Sequence, residues 1–137
     1  MRVTKFRGKR ICNGEWLFGD LMHDNIGGSY IYPIEAENLY KENAVTPDTV
    51  GQFTGLLDGK GQEIFEGDIM RIPETEFNIE IIGVVEFDRG SYVVRSFFSG
   101  TRSDLAWAVR ERQSGERRGV VIGNIYDNPE LQKGGVQ

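Results

Sequence analysis

Two carboxylates stand either side of a glycine in Glu66-Gly67-Asp68. Such a pair can move a proton or help to hold a divalent cation, as in a metal-dependent hydrolase. Both chemistries need further groups at fixed spacing, and the sequence places none beside them. A tight corner explains the same letters better: Gly67 supplies positive φ, and Asp68 accepts a backbone N–H across the bend. The chain has one histidine, His23, and one cysteine, Cys12. His23 falls on an expected loop and has no recognisable relay partner. Cys12 sits beside an Asn-Gly turn and reads as a small apolar filler. Lys9 and Arg10 are close enough in sequence to favour its thiolate. A single thiol excludes an intrachain disulfide and a zinc cage of several thiolates. The expectation is a non-enzyme with no catalytic residue, no cofactor, no metal and no small-molecule substrate.

The second chemistry-bearing pattern is cationic and aromatic. Residues 1–10 hold five bases, Arg2, Lys5, Arg7, Lys9 and Arg10, and no acid. Phe6 lies among them, and Trp16 and Phe18 follow on the next expected strand. Rings interleaved with Lys and Arg can stack bases and meet the phosphates of a single strand. Arg110, Arg112, Arg117 and Arg118 form a later basic group that extends this stripe only if the fold brings it near. The competing reading makes Phe6, Trp16 and Phe18 the core of a small lobe. The bases then protect solvated strand edges. Net charge is −5, and residues 11–137 carry 11 bases against 21 acids. An acidic body suits non-specific duplex binding poorly.

These side chains need a scaffold, and 137 residues supply about one domain's worth, with room for an attached lobe. Apolar residues make up 39% and charged residues 27%, the balance of a soluble globular chain. No apolar run reaches the roughly 20 residues of a membrane helix, and no signal segment is expected, so the default is reducing cytoplasm. The 18 glycines punctuate short apolar runs, as in a β-rich protein with many turns. Asn13-Gly14 predicts a type I′ hairpin, with positive φ at both central positions, between strands near Val3–Ile11 and Glu15–Leu21. Tyr30–Ile34 reads as a strand, and Glu35–Asn43 as a short helix or irregular segment. Thr49–Leu56 reads as a strand or arch in which Gly51 and Gly55 bracket Gln52-Phe53-Thr54. A phosphate loop would need a following Lys-Ser or Lys-Thr pair and a helix, and neither is present.

Asp58-Gly59-Lys60-Gly61 reads as a turn, and Ile69–Ile72 as a strand. Ile79–Phe87 is the strongest strand: Ile79, Ile81, Val85 and Phe87 share one side, and Gly83 suggests a bend or bulge. Asp88-Arg89-Gly90 turns the chain into Ser91–Ser99. Ser103–Arg112 fits strand or helix, and a short helix capped by Ser103 is preferred. In Gly119–Ile125, Ile122 and Ile125 point to the core, and Gly123 allows a close backbone approach. Asn128-Pro129 caps and starts a last helical turn. Asn124, Asp127 and Glu130 could instead form a polar ligand cluster, but capping explains the same residues.

The order of events after Glu66 resembles a small SH3-like barrel. The expected fold is mainly β, with an SH3-like barrel in the C-terminal half, a β-rich N-terminal lobe and one or two short helices. The boundaries are 1–48 for the lobe, 49–132 for the barrel-containing core and 133–137 for a fraying tail. Several blocks also resemble the YopX family of phage and prophage proteins. Phe6-Arg7-Gly8-Lys9 with Asn13-Gly14-Glu15-Trp16 resembles its N-terminal signature. Thr49 to Leu56, continued by Asp58 to Ile69, resembles its central motif. Val121 to Leu131, with Gly123, Asn124, Asn128 and Pro129, resembles its closing motif. These blocks arrive in the family's order and span nearly the whole chain, while the middle, from about Pro73 to Arg118, departs freely. The resemblance implies a β-rich, barrel-containing fold and a phage setting, but no activity and no catalytic residues. The expectation is a cytoplasmic accessory protein that binds a protein partner or copies of itself, with nucleic-acid binding by Lys5–Trp16 as the alternative and no membrane partner.

Overall fold

A computed structural model of the chain describes residues 3–33, 41–74, 79–110 and 119–136. It divides into two compact units, Met1–Phe53 and Thr54–Gln137. The fold is mainly β, with two antiparallel sheets and one short α-helix among the described residues.

In the first unit, β1 (Phe6–Lys9), β2 (Trp16–His23), β3 (Ser29–Tyr32) and β4 (Ala44–Val45) lie in the order β4-β3-β2-β1, with the start of β5 (Gly51–Leu57) beside β1. The hairpin between β1 and β2 stands where Asn13-Gly14 places it, but its turn is not type I′. Gly14 alone has positive φ, at 74°. The loop spans Ile11–Gly14 inside an Arg10 N–H to Glu15 carbonyl bond of 2.8 Å. Asn13 contributes by its side chain, accepting the Glu15 N–H at 3.0 Å. β4 pairs with β3 on one side and touches the end of β1 on the other, through an Arg10–Val45 bridge and an Ile11 N–H to Ala44 carbonyl bond of 2.9 Å. The strands therefore curl around a small core of Leu17, Ile31 and Val45, with Phe6, Leu21 and Val50 packed against it. Glycine is required where this curl is tightest: a Cβ at Gly19 would overlap the Tyr32 carbonyl.

In the second unit, β6 (Glu63–Phe65) pairs with the end of β5. A five-stranded sheet runs β10 (Arg102–Asp104), β9 (Ser91–Ser96), β8 (Ile79–Asp88), β7 (Asp68–Glu74), β11 (Val120–Asn124). Ile64, Met70, Ile72, Val85, Val94, Leu105, Ala108 and Val109 fill its core. Among the described residues, β10 and β11 end the ladder and do not pair with each other, so pairing does not draw the SH3-like circle here. The β8–β9 turn is of type I′, with Arg89 at φ 51° and Gly90 at 88°. The ladder runs regularly through Gly83, with no bulge there. A Cβ at Gly83 would overlap the Arg95 carbonyl, so close approach explains this glycine. Phe87 is exposed, with its ring edge-on to Tyr92 at 5.1 Å, because β8 buries its middle and not its end.

The ambiguous segment resolves into both candidates: β10 is followed at once by α1 (Leu105–Ala108). Its cap is Asp104, the last residue of β10, which accepts the Trp107 N–H at 3.3 Å, and not Ser103. The bulge lies in β11, between Val121 and Gly123. It turns Ile122 outward, whereas the sequence points it to the core; Val121 packs there instead. Pro129–Val136 forms a 3-10 helix, and Lys41–Asn43 another.

Candidate functional site

Residues opposite one another in an antiparallel ladder share a face. The register pairs Phe6 with Gly19, Arg7 with Phe18, Gly8 with Leu17 and Lys9 with Trp16. Phe6 therefore turns to the core with Leu17. Trp16 and Phe18 turn the other way, beside Arg7 and Lys9. The sequence expectation of one core made from Phe6, Trp16 and Phe18 holds only for Phe6, since the alternation of β1 and β2 separates it from the other two. β3 extends the outer face, because Asp20 pairs with Tyr32 and Met22 with Tyr30.

This outer face is built of rings and cations in contact. The Arg7 guanidinium lies 4.6 Å from the Trp16 ring centre, and Lys9 Nζ lies 5.6 Å from it. Lys5 Nζ lies 5.4 Å from the ring centre of Phe53, whose N–H donates to the Lys5 carbonyl at 2.7 Å. Arg7 is only 6% exposed. A desolvated cation–π pair of this kind contributes up to about 2 kcal/mol. Arg10 faces Glu15 across the hairpin at 3.8 Å. Tyr30 and Tyr32 stack with their rings 6.4 Å apart. Phe18 and Met22 are 45% and 48% exposed, and Ile26, on the loop after β2, more so.

The loop from β2 to β3 is held by one carboxylate. Asp24 Oδ1 accepts the N–H groups of Ile26 and Gly28 at 3.0 and 2.7 Å, and Oδ2 accepts the Tyr30 hydroxyl at 2.7 Å. The Tyr30 hydroxyl, with those N–H groups, holds the Asp24 carboxyl below its ordinary range. The same bond and the charge on Asp24 push Tyr30 upward.

The other sequence candidates fall elsewhere. Asp68 is buried and accepts the Phe65 N–H at 2.8 Å across a corner where Gly67 has φ 89°. Among the described residues, no three His, Cys, Asp or Glu side chains gather where they could hold a metal ion. In the closing segment, Asn124 Oδ1 accepts the N–H groups of Tyr126 and Asp127 at 3.0 and 2.9 Å, and its amide donates to Asp127 at 3.1 Å. Asn128 does not cap the last turn with its side chain. Its Oδ1 reaches back to the Asn124 N–H at 3.2 Å, and a Cβ on Gly123 would crowd it. Its backbone carbonyl opens the turn by accepting the Leu131 N–H at 3.1 Å, with Pro129 following as the first 3-10 residue. Gly51 begins β5 opposite Arg7, and Gly55 has φ 85°. His23 ends β2 and is exposed. Cys12 is exposed and fills no core, because it lies in the turn itself. Arg110 is exposed after α1, while Arg2, Arg112, Arg117 and Arg118 lie outside the described residues.

Two anchoring side chains carry more than the sequence reading gave them. Thr49 accepts the Lys9 N–H at 2.9 Å and donates to the Thr46 carbonyl at 2.6 Å. Asp58 is fully buried and accepts the N–H groups of Lys60, Gln62 and Val121 at 2.8, 2.9 and 2.9 Å. The Asp-Gly pattern announces the local half of that arrangement. The bond to Val121, 63 residues away, leaves no local trace.

A family model described as YopX protein matches residues 5–133. Among solved structures, protein yopX from Bacillus subtilis is similar at a TM-score of 0.60 and 17% identity, covering 96% of this chain and 97% of that one. Protein EF1440 from Enterococcus faecalis is similar at a TM-score of 0.53 and 22% identity, covering 96% and 99%. At these identities the likeness concerns the fold. A search of curated proteins finds no match.

Proposed function

The chain belongs to the YopX family, and from that premise we propose a non-enzymatic protein-interaction module, an accessory protein of the phage or prophage kind acting in the cytoplasm. The observation that carries this reading is the outer face of β2. Phe18 and Met22 stand about half exposed on one strand, flanked by Tyr30 and Tyr32. Apolar and aromatic side chains rimmed by charge are the usual composition of a protein-binding surface. The Asp68 carboxylate holds a corner and that of Asp24 a loop, which supports a passive platform over a reaction centre. Among the described residues, no helix is long and apolar enough to cross a membrane.

The test is solution mass together with partner capture. The protein should form a complex, with itself or with a protein partner, that Phe18→Asp and Met22→Asp weaken while the circular dichroism spectrum stays unchanged. A monomer that retains no partner, or a complex indifferent to both substitutions, overturns the reading. A second reading, single-strand nucleic-acid binding, draws on Arg7 and Lys9, which stand on one side of β1 next to Trp16 and Phe18, and on Lys5 just before that strand. Against it, Arg7 is buried and the Trp16 ring is already met by two cations of the chain itself. Gel-shift titration at low salt decides it. Absence of retardation removes it. Binding that Arg7→Ala and Lys9→Ala each weaken, with a salt slope smaller by about one, supports it.

A further inference from the structure

A strand at the end of a sheet offers unpaired N–H and C=O groups on which another chain can add a strand. Among the described residues β11 ends the second unit's sheet, yet several of its outward groups are engaged. At its start, the Val121 N–H donates to the buried Asp58 carboxylate at 2.9 Å, and the Gly119 carbonyl accepts the Gly59 N–H at 2.7 Å. At its end, the Asn124 N–H donates to Asn128 Oδ1 at 3.2 Å. Between these points the ladder slips from Val121 opposite Met70 to Gly123 opposite Ile69, and such a bulge spoils a regular edge. Asp58 is itself fixed, because its other oxygen holds the N–H groups of Lys60 and Gln62.

A turn that needed only its own closure would be complete with those two bonds. The third bond of Asp58 closes no turn. It fills a position that a neighbouring strand would otherwise take. We propose that Asp58 and Asn128 are edge latches, which keep β11 from pairing with β11 of a second copy of this chain. A second copy is the occupant the chemistry selects, since two identical edges can pair about a two-fold axis. This surface lies on a different strand from the β2 face, and neither proposal depends on the other.

The experiment compares the solution mass of variants with that of the parent at matched concentrations, so that any assembly through β2 is common to both. Asp58→Ala should keep a β-type circular dichroism spectrum and associate with rising concentration, at least doubling its mean mass. Adding Val121→Pro removes the N–H on which the incoming strand depends and should return the mass to the parent value. Asn128→Ala, which releases only the far end, should associate more weakly. A folded Asp58→Ala variant at the parent mass overturns the proposal, as does association that Val121→Pro leaves undiminished. If Asp58→Ala does not fold, Asn128→Ala decides: association supports the latch, and the parent mass at every concentration overturns it.

Discussion

At the scale of single residues, Asp24 and Tyr30 form a linked pair whose titration is directly readable. The Asp24 carboxyl is held low, so its contribution to stability is present above its ordinary value and disappears as pH falls through the depressed one. Tyr30 is held high, so its contribution is present below pH 10.0 and disappears as pH rises through the elevated value. Ultraviolet titration, with Tyr30→Phe identifying the signal, should therefore show Tyr30 ionising later than an ordinary tyrosine. Asp24→Asn should shift that ionisation downward. Gly19 supports a second prediction. Gly19→Ala would drive a methyl into the Tyr32 carbonyl and against the Pro33 Cα, all of it backbone, so the curl of β2 and β3 must give. A loss of about 2 kcal/mol or more is expected in urea unfolding, near the top of the usual range for a single substitution.

Among the elements, how much was legible depended on whether a signal was local. β8 was readable over its full length, because alternating Ile and Val residues and the Arg89-Gly90 turn lie within a dozen positions. The type I′ turn was there and not at Asn13-Gly14. A dipeptide states that the chain can reverse, but the register in which the two strands pair fixes how many residues the loop takes. The split of Phe6 from Trp16 and Phe18 came from register, which β1 alone shows only weakly, since neither of its sides is cleanly apolar. The outward turn of Ile122 came from a bulge, and the third bond of Asp58 from a partner far along the chain; neither has a local pattern. The curl of β4 onto the end of β1 was illegible for the same reason. The Arg89 turn carries its own prediction. A side chain at positive φ costs roughly 1 kcal/mol relative to glycine, so Arg89→Gly should raise the unfolding free energy by up to about that amount, seen as a higher urea midpoint with the slope unchanged.

At the scale of the whole molecule, each compact unit has its own core and its own tryptophan, Trp16 in the first and Trp107 in the second. Ile72 is fully buried in the second core. Ile72→Ala should cost about 2–5 kcal/mol, a loss seen in Trp107 fluorescence when Trp16 is replaced by phenylalanine. The converse pair, Leu17→Ala read by Trp16 with Trp107 replaced, tests the smaller core in the same way. Neither the family match nor the fold likeness supplies an activity, so function must be read from surfaces such as the β2 face and the β11 edge. Cys12 makes the first of them observable. It is the chain's one thiol, exposed on the hairpin that joins the two strands carrying Arg7, Lys9, Trp16 and Phe18. A maleimide dye attached there would sit at a single defined point beside that face, so docking of a partner could be followed by anisotropy without substituting any residue of the protein.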